Sequence, residues 1–549
     1  MVTSGRGDEL LSPRPYRIIL RVFISYLSAN IRRGSRYPEV VKRKLGGADL
    51  CASEEIISLI NHEDAMNDFN DMRQWLDNAK KIKELKIVEG GDPNLEVGTM
   101  VQINGRNEGP ALLFDKLKGY KAGFRILTNS MANIRTVNMT FGLPITSTIR
   151  ETVETLKVKA GEWADTAKDF PCHEVSSGPI MENVETGKKV NLDRFPVPRW
   201  HELDGGRYIG TGVGVITRDP DTGQVNMGTY RVQQHDRYTV GFYISPGKHG
   251  RIHRDKYFAR GKSCPVAMVF GADPLNYILS ASEIPHGICE FDYMGAIKGK
   301  SIPVIKGKIT GLPIPANAEI AIEGIANPKD MKLEGPFGEW TGTYASKGRK
   351  EPFVRAEALY FRNNPILLGS PPSKGLASDQ GFWRAVWRSA LVYNEIEKAG
   401  IPDVKGVWCP AFGGSRLFTI VSVKQGYPGH ATEVGHIASQ TRAGAYLGRY
   451  VVVVDDDIDP YDMEDVMWAI CTRSDPKEMD IIKRAWSGPL DPRIRKPTDD
   501  YTNSHGIIYA VKPYEWFDEF PPTSLNSDKL RDKVFAKWSR TMDGRWKMA

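Results

Sequence analysis

Between Asn226 and Asp255 the chain reads NMGTYRVQQHDRYTVGFYISPGKHGRIHRD, which gathers Asn226, Arg231, His249 and His253 into one short stretch. An amide oxygen and imidazole nitrogens suit a hard or borderline divalent cation once a carboxylate joins them. His249 and His253 stand four apart, a spacing that points both rings the same way on a helix. HExxH is absent and no third ligand lies close in sequence, so a zinc-dependent hydrolase built on that pair stays open only as an alternative.

A second set of chemistry-bearing residues follows in LEGPFGEW, where Glu334 and Glu339 flank a Gly-Pro turn. Two carboxylates held close in a dry pocket acquire different proton affinities, so one can serve as a general acid. An arginine between them would set that difference and could hold a substrate carboxylate. Two solvated turn acids would leave the same letters. The glycine-rich run GTGVGVI, Gly210 to Ile216, continues as a strand into the turn TRDPDTGQ rather than opening a helix. It therefore reads as close backbone packing, not as a dinucleotide fingerprint.

The elements that must position these groups fall into an α+β and α/β multidomain chain. Residues 66–170 alternate strand and helix signals and read as an N-terminal α/β domain; Phe69, Met72, Trp75 and Leu76 recur at helical spacing. Residues 171–365 are dense in short strands and turns, which suggests a barrel or sandwich interrupted by one helix near His249 to Ala259. Residues 366–515 return to α/β order, with the nearly all-apolar strand YVVVVDDDID. Residues 516–549 form a tail with one basic amphipathic helix, read as a docking helix. Residues 1–65 are basic, and read as a flexible extension or as sequence upstream of the natural start.

The 549 residues carry a net charge of +7 without a dense basic stripe, which argues against a nucleic-acid partner and leaves room for an anionic ligand. The six cysteines lack any CxxC and read as reduced thiols of a cytoplasmic protein. No run is long and apolar enough for a membrane partner.

The motifs NMGTYR, SPGKH, GICEFDYMGA, EGPFGEW and VVVVDDDIDPYDMEDVMWAICTR occur in that order from about residue 66 to 515. In them the chain resembles the UbiD family of decarboxylases, which use prenylated FMN. The resemblance implies a central split β-barrel domain that binds flavin and metal. It implies a divalent metal, Mn2+ or Fe2+, held by Asn226, His249 and Glu290, with K+ nearby on main-chain oxygens from about Leu279 to Ser282. Met227, Gly228, Thr229, Tyr230, Arg231 and Lys248 would line the flavin, and Lys424 would reach its phosphate region. Glu334, Arg231 and Glu339 match the family's catalytic network: Arg231 orients cofactor and carboxylate, Glu339 delivers the proton, and Glu334 holds Arg231. Lys248 departs from relatives that carry Gln there.

The implied activity is reversible, non-oxidative decarboxylation of an aromatic or α,β-unsaturated acid, with an aroyl-CoA such as phthaloyl-CoA as one branch. Implied partners are a flavin prenyltransferase as cofactor supplier and further copies of the chain, as homodimer or homohexamer through the C-terminal domain. A flavin-binding protein without turnover is the other alternative. Trp408 to Phe418, including Arg416, would cover the pocket.

Overall fold

In the computed structural model residues 69–285, 287–494, 500–539 and 541 are described; the extension expected over 1–65 lies outside them. Asp71 caps the helix Met72–Lys81 by accepting the Gln74 N–H, and Phe69, Met72, Trp75 and Leu76 are buried as their spacing predicts. This helix packs on the strand Leu85–Glu89. That strand begins a four-stranded mixed sheet with Ala111–Asp115, Arg125–Thr128 and Ile366–Leu368. The fourth strand comes from beyond the central region, so the first sheet is completed by residues that sequence order groups with the C-terminal part. The helix Ile149–Thr166, closed by a Thr148/Glu151 capping box, lies against the helix Gly381–Lys398. Phe141 bridges their contact, its ring 6.2 Å from Trp163 and 5.2 Å from Trp387.

The central region is a nine-stranded, wholly antiparallel sheet that forms the curled half-barrel expected from its strand density. Its longest strands, Ile320–Glu334 and Arg349–Phe361, pair with two register shifts. Such shifts let a long ribbon curl. The pair opens at Glu334↔Arg349, so Glu334 leaves the sheet at the mouth of a loop. The helix His249–Ala259 stands where the sequence reading put it.

The C-terminal sheet runs Val404–Trp408, Phe418–Val423, Tyr450–Asp455, Thr502–Ala510, Asp480–Trp486. Along YVVVV, Val451 and Val453 enter one apolar cluster and Val452 and Val454 another. Both faces are covered, which is why the run needs no polar alternation. The tail helix Asp528–Trp538 forms, but Leu530, Val534 and Trp538 are exposed. No described helix is long and apolar enough to cross a membrane, and the five described cysteines are all free thiols.

Candidate active site

Strand alternation builds the first half of the site. In Val225–Gly228 the side chain of Met227 enters the core, which turns Asn226 toward a cleft. The Met227 N–H donates to Glu290 Oε2 at 2.9 Å, tying this strand to the start of the helix Glu290–Lys298. Tyr230 is wedged between Gly228 and Gly250. A Cβ on either glycine would meet its ring or hydroxyl at 2.3 Å and 2.7 Å respectively. The Tyr230 hydroxyl accepts the Gly250 N–H at 3.2 Å and the Asn226 Nδ2 amide at 3.4 Å. One phenol therefore positions both Asn226 and the helix turn that carries His249. Burial raises the Tyr230 pKa to about 12, so it stays protonated.

Glu290 is only 8 % exposed, and among the described residues no cation pairs with it. Burial pushes its carboxyl up to about 7. Asn226, His249 and Glu290 line one cleft, a cavity of about 460 Å³, within the roughly 300–1,000 Å³ of small-molecule sites. An amide oxygen, an imidazole and an uncompensated buried carboxylate fit a divalent cation. His253, by contrast, leaves the cleft: its Nδ1 meets Thr217 Oγ1 at 3.0 Å and its Nε2 lies 3.8 Å from Asp219. The two histidines do not share a ligand site, and no cluster of three His, Cys, Asp or Glu suited to a metal occurs among the described residues. The zinc-hydrolase alternative loses its basis.

The second half of the site is a clamp. Arg231 donates from Nε and one terminal nitrogen to Glu334 at 3.0 and 2.9 Å, and from the other to Glu339 at 2.8 Å. Its guanidinium lies 3.8 Å from the Tyr243 ring centroid, whose other neighbour is Arg349 at 4.0 Å. Burial works against the Arg231 charge, but Glu334 and Glu339 outweigh it and hold the group above its ordinary pKa. Tyr208 donates to Glu334 at 3.3 Å while its ring stacks on Phe337 at 4.0 Å. Glu339 is fixed by its own turn, where its N–H donates to Thr343 O and its carbonyl accepts the Gly342 N–H. Arg231 and Glu339 line the cleft; Glu334 sits behind Arg231.

Met227, Gly228, Thr229, Tyr230 and Lys248 also line the cleft. Lys424 does not: it is exposed at the end of Phe418–Val423, where the strand has already run past the cleft. Basic groups reach the cleft instead from Arg384, Arg416 and Arg442. Of the expected K+ carbonyls, Leu279 O accepts from Ser282 and Ser280 O from Thr229, so they close the helix Pro274–Ser280.

Sequence reasoning missed Glu283. It accepts from Arg388 and Arg416, each at 2.6 Å, with Lys248 at 3.5 Å. Burial opposes its charge, yet Arg388, Arg416 and Lys248 hold it well below the usual carboxylate range. A lone acid in a glycine- and proline-bearing loop, and arginines four apart at 384 and 388, were its only signals in the sequence.

Three family models match along the chain, all of the UbiD 3-octaprenyl-4-hydroxybenzoate carboxy-lyase type. The N-terminal domain covers residues 76–156, the Rift-related domain 173–375 and the C-terminal domain 382–510. The pyrrole-2-carboxylic acid decarboxylase of Pseudomonas aeruginosa is 31% identical over 426 residues, covering 74% of this chain and 83% of its own. Among solved structures, the closed vanillic acid decarboxylase of Sedimentibacter hydroxybenzoicus superposes with a TM-score of 0.74 at 26% identity, over 86% of this chain and 99% of that one. The UbiD-class enzyme HmfF of Pelotomaculum thermopropionicum, in complex with FMN, gives 0.73 at 26% identity, over 84% and 99%.

Proposed function

This chain belongs to the UbiD family of carboxy-lyases, and from that premise we propose that its cleft binds prenylated FMN with a divalent cation and decarboxylates an aromatic acid. The observation that carries the reading is the Arg231 clamp opening into the same cleft as Asn226, His249 and Glu290.

Bound prenylated FMN would supply the electron sink for the bond that releases carbon dioxide. The chain's own residues do the rest. A guanidinium has five N–H donors; three of those on Arg231 serve Glu334 and Glu339, which leaves two for a substrate carboxylate. Glu334, braced by Tyr208, holds Arg231 in place. Glu339, on the cleft surface, delivers the proton that replaces carbon dioxide. Asn226, His249 and Glu290 would hold the cation, and Lys248 stands beside them as a further positive group for a phosphate. Phe337, Trp340, Tyr243 and Tyr446 give the cleft aromatic walls suited to an aryl ring.

Arg442, an exposed cation in the cleft lining, keeps a coenzyme A thioester of such an acid in the screen. Co-expression with a flavin prenyltransferase, followed by absorbance and mass analysis of the bound chromophore and carbon dioxide release from aryl acids and aroyl-CoA esters, tests the reading. A prenylated chromophore with turnover that falls by about 100-fold or more in Glu339→Gln supports it. A protein that binds no flavin, or a Glu339→Gln variant with full turnover, overturns it.

A further inference from the structure

Among the described residues the cleft holds a cation that meets no carboxylate. Arg384 stands on Gly381–Lys398 one turn after Gln380, and both line the cleft. Among the described residues its guanidinium makes no hydrogen bond or ion pair; its charge centre lies 5.4 Å from the ring centroid of neighbouring Trp383. Its neighbours on the wall already meet carboxylates, although Glu283 brings one charge to Arg388, Arg416 and Lys248. Arg231 is taken by Glu334 and Glu339, and Arg388 and Arg416 share Glu283, with Lys248 nearby. Burial lowers the Arg384 pKa, while Tyr277, Glu283 and Glu339 oppose that fall. Glu339 therefore lies within electrostatic reach of Arg384. A guanidinium that meets no carboxylate in a cleft wall is open to an anion that binds there, and its planar fork matches a carboxylate in two-point fashion.

We propose that Arg384 is a specificity residue that binds a second carboxylate of the substrate, one that stays on the ring while the group at Arg231 departs. The preferred substrates are then aromatic dicarboxylates. This rests on the aryl-acid reading above and narrows it. Glu283 contributes by engaging Arg416 and Arg388, so that Arg384 is the arginine of this wall without a carboxylate partner among the described residues.

The test compares ring-matched monocarboxylates and dicarboxylates on the holoenzyme, as wild type, Arg384→Met and Arg384→Lys. The wild type is expected to favour the diacid in kcat/KM by about 100-fold, in keeping with a charge-assisted two-point contact. Arg384→Met collapses that ratio, chiefly through the KM of the diacid, and Arg384→Lys restores part of it. Affinity for FMN, read by fluorescence quenching, is retained in all three. A wild type that prefers the monoacid, or a Met variant that loses both substrates equally, overturns the proposal. So does weakened FMN binding in the Met variant, which would assign Arg384 to the cofactor phosphate. A wild type inactive on every aryl acid defeats the function proposed above. The Arg384 proposal then stands if the diacid perturbs the flavin absorbance of the wild type but not of Arg384→Met, and falls otherwise.

Discussion

Arg231 and Glu290 are both charged groups of one cleft, yet among the described residues only Arg231 meets counter-charges. The clamp is self-sufficient: two carboxylates, a tyrosine hydroxyl and an aromatic face close around one guanidinium. Around Glu290 no basic side chain pairs with the carboxyl among the described residues, and burial raises it to about 7. On the function proposed above, the contrast teaches that the protein would pre-assemble the part that handles the substrate and leave the part that anchors the cofactor to be completed by what binds there.

The largest break in that comparison is Arg231→Ala. It strands two buried carboxylates, a change that costs about 3–5 kcal/mol when one partner of a buried pair is removed. Denaturant unfolding should show that loss, and turnover should fall below detection. Glu339→Gln comes next: removing a positioned proton donor lowers rate by about 10²–10⁴-fold, while the fold should stay intact because Glu334 still pairs with Arg231. A Gln variant that unfolds instead would mean that the clamp is structural before it is catalytic.

On the other side of the comparison, Glu290→Gln should weaken Mn2+ binding by at least the roughly 10–100-fold seen when even an outer partner of a ligand is lost. It should also raise the melting temperature of the metal-free protein, since no buried charge remains; calorimetry with and without metal reads both effects. Asp379 sharpens the contrast. It is 1 % exposed, and burial raises it to about 7 against the smaller opposing pull of Ser370 and the Asn129 backbone. A carboxyl raised on folding binds its proton more tightly in the native state. Its stabilisation is full below an unfolded pKa near 3.9 and is lost as pH rises through about 7, by at most about 4 kcal/mol. Asp379→Asn should flatten that part of the stability–pH curve, and added Mn2+ should leave the Asp379 slope in place. The smallest effect is Tyr230→Phe. It removes two long hydrogen bonds, worth about 0.5–1.5 kcal/mol each, and should cost metal affinity a few-fold without unfolding the chain.

Much of this was legible in the residues. Trp75 and its neighbours announce a buried helix face, YVVVV a strand covered on both sides, and the separated motifs the polar groups that line the cleft. Lys424 was misjudged because a motif marks a neighbourhood and not the direction in which a strand end points. Glu283 and Arg384 were invisible because an acid in a loop and an arginine on a helix carry no sign of who will face them. The return of Ile366–Leu368 to the first sheet was hidden for the same reason: strand pairing is a long-range choice that local pattern does not encode.

By itself, then, the order of side chains determined which groups are available for chemistry and which local segments are helix or strand, because periodicity and turn chemistry act over a few residues. Only the tertiary structure decided which charges are matched and which are left waiting. That depends on burial and on distances of a few ångströms between residues far apart in the chain, where a single pairing changes an ionisable group from satisfied to reactive.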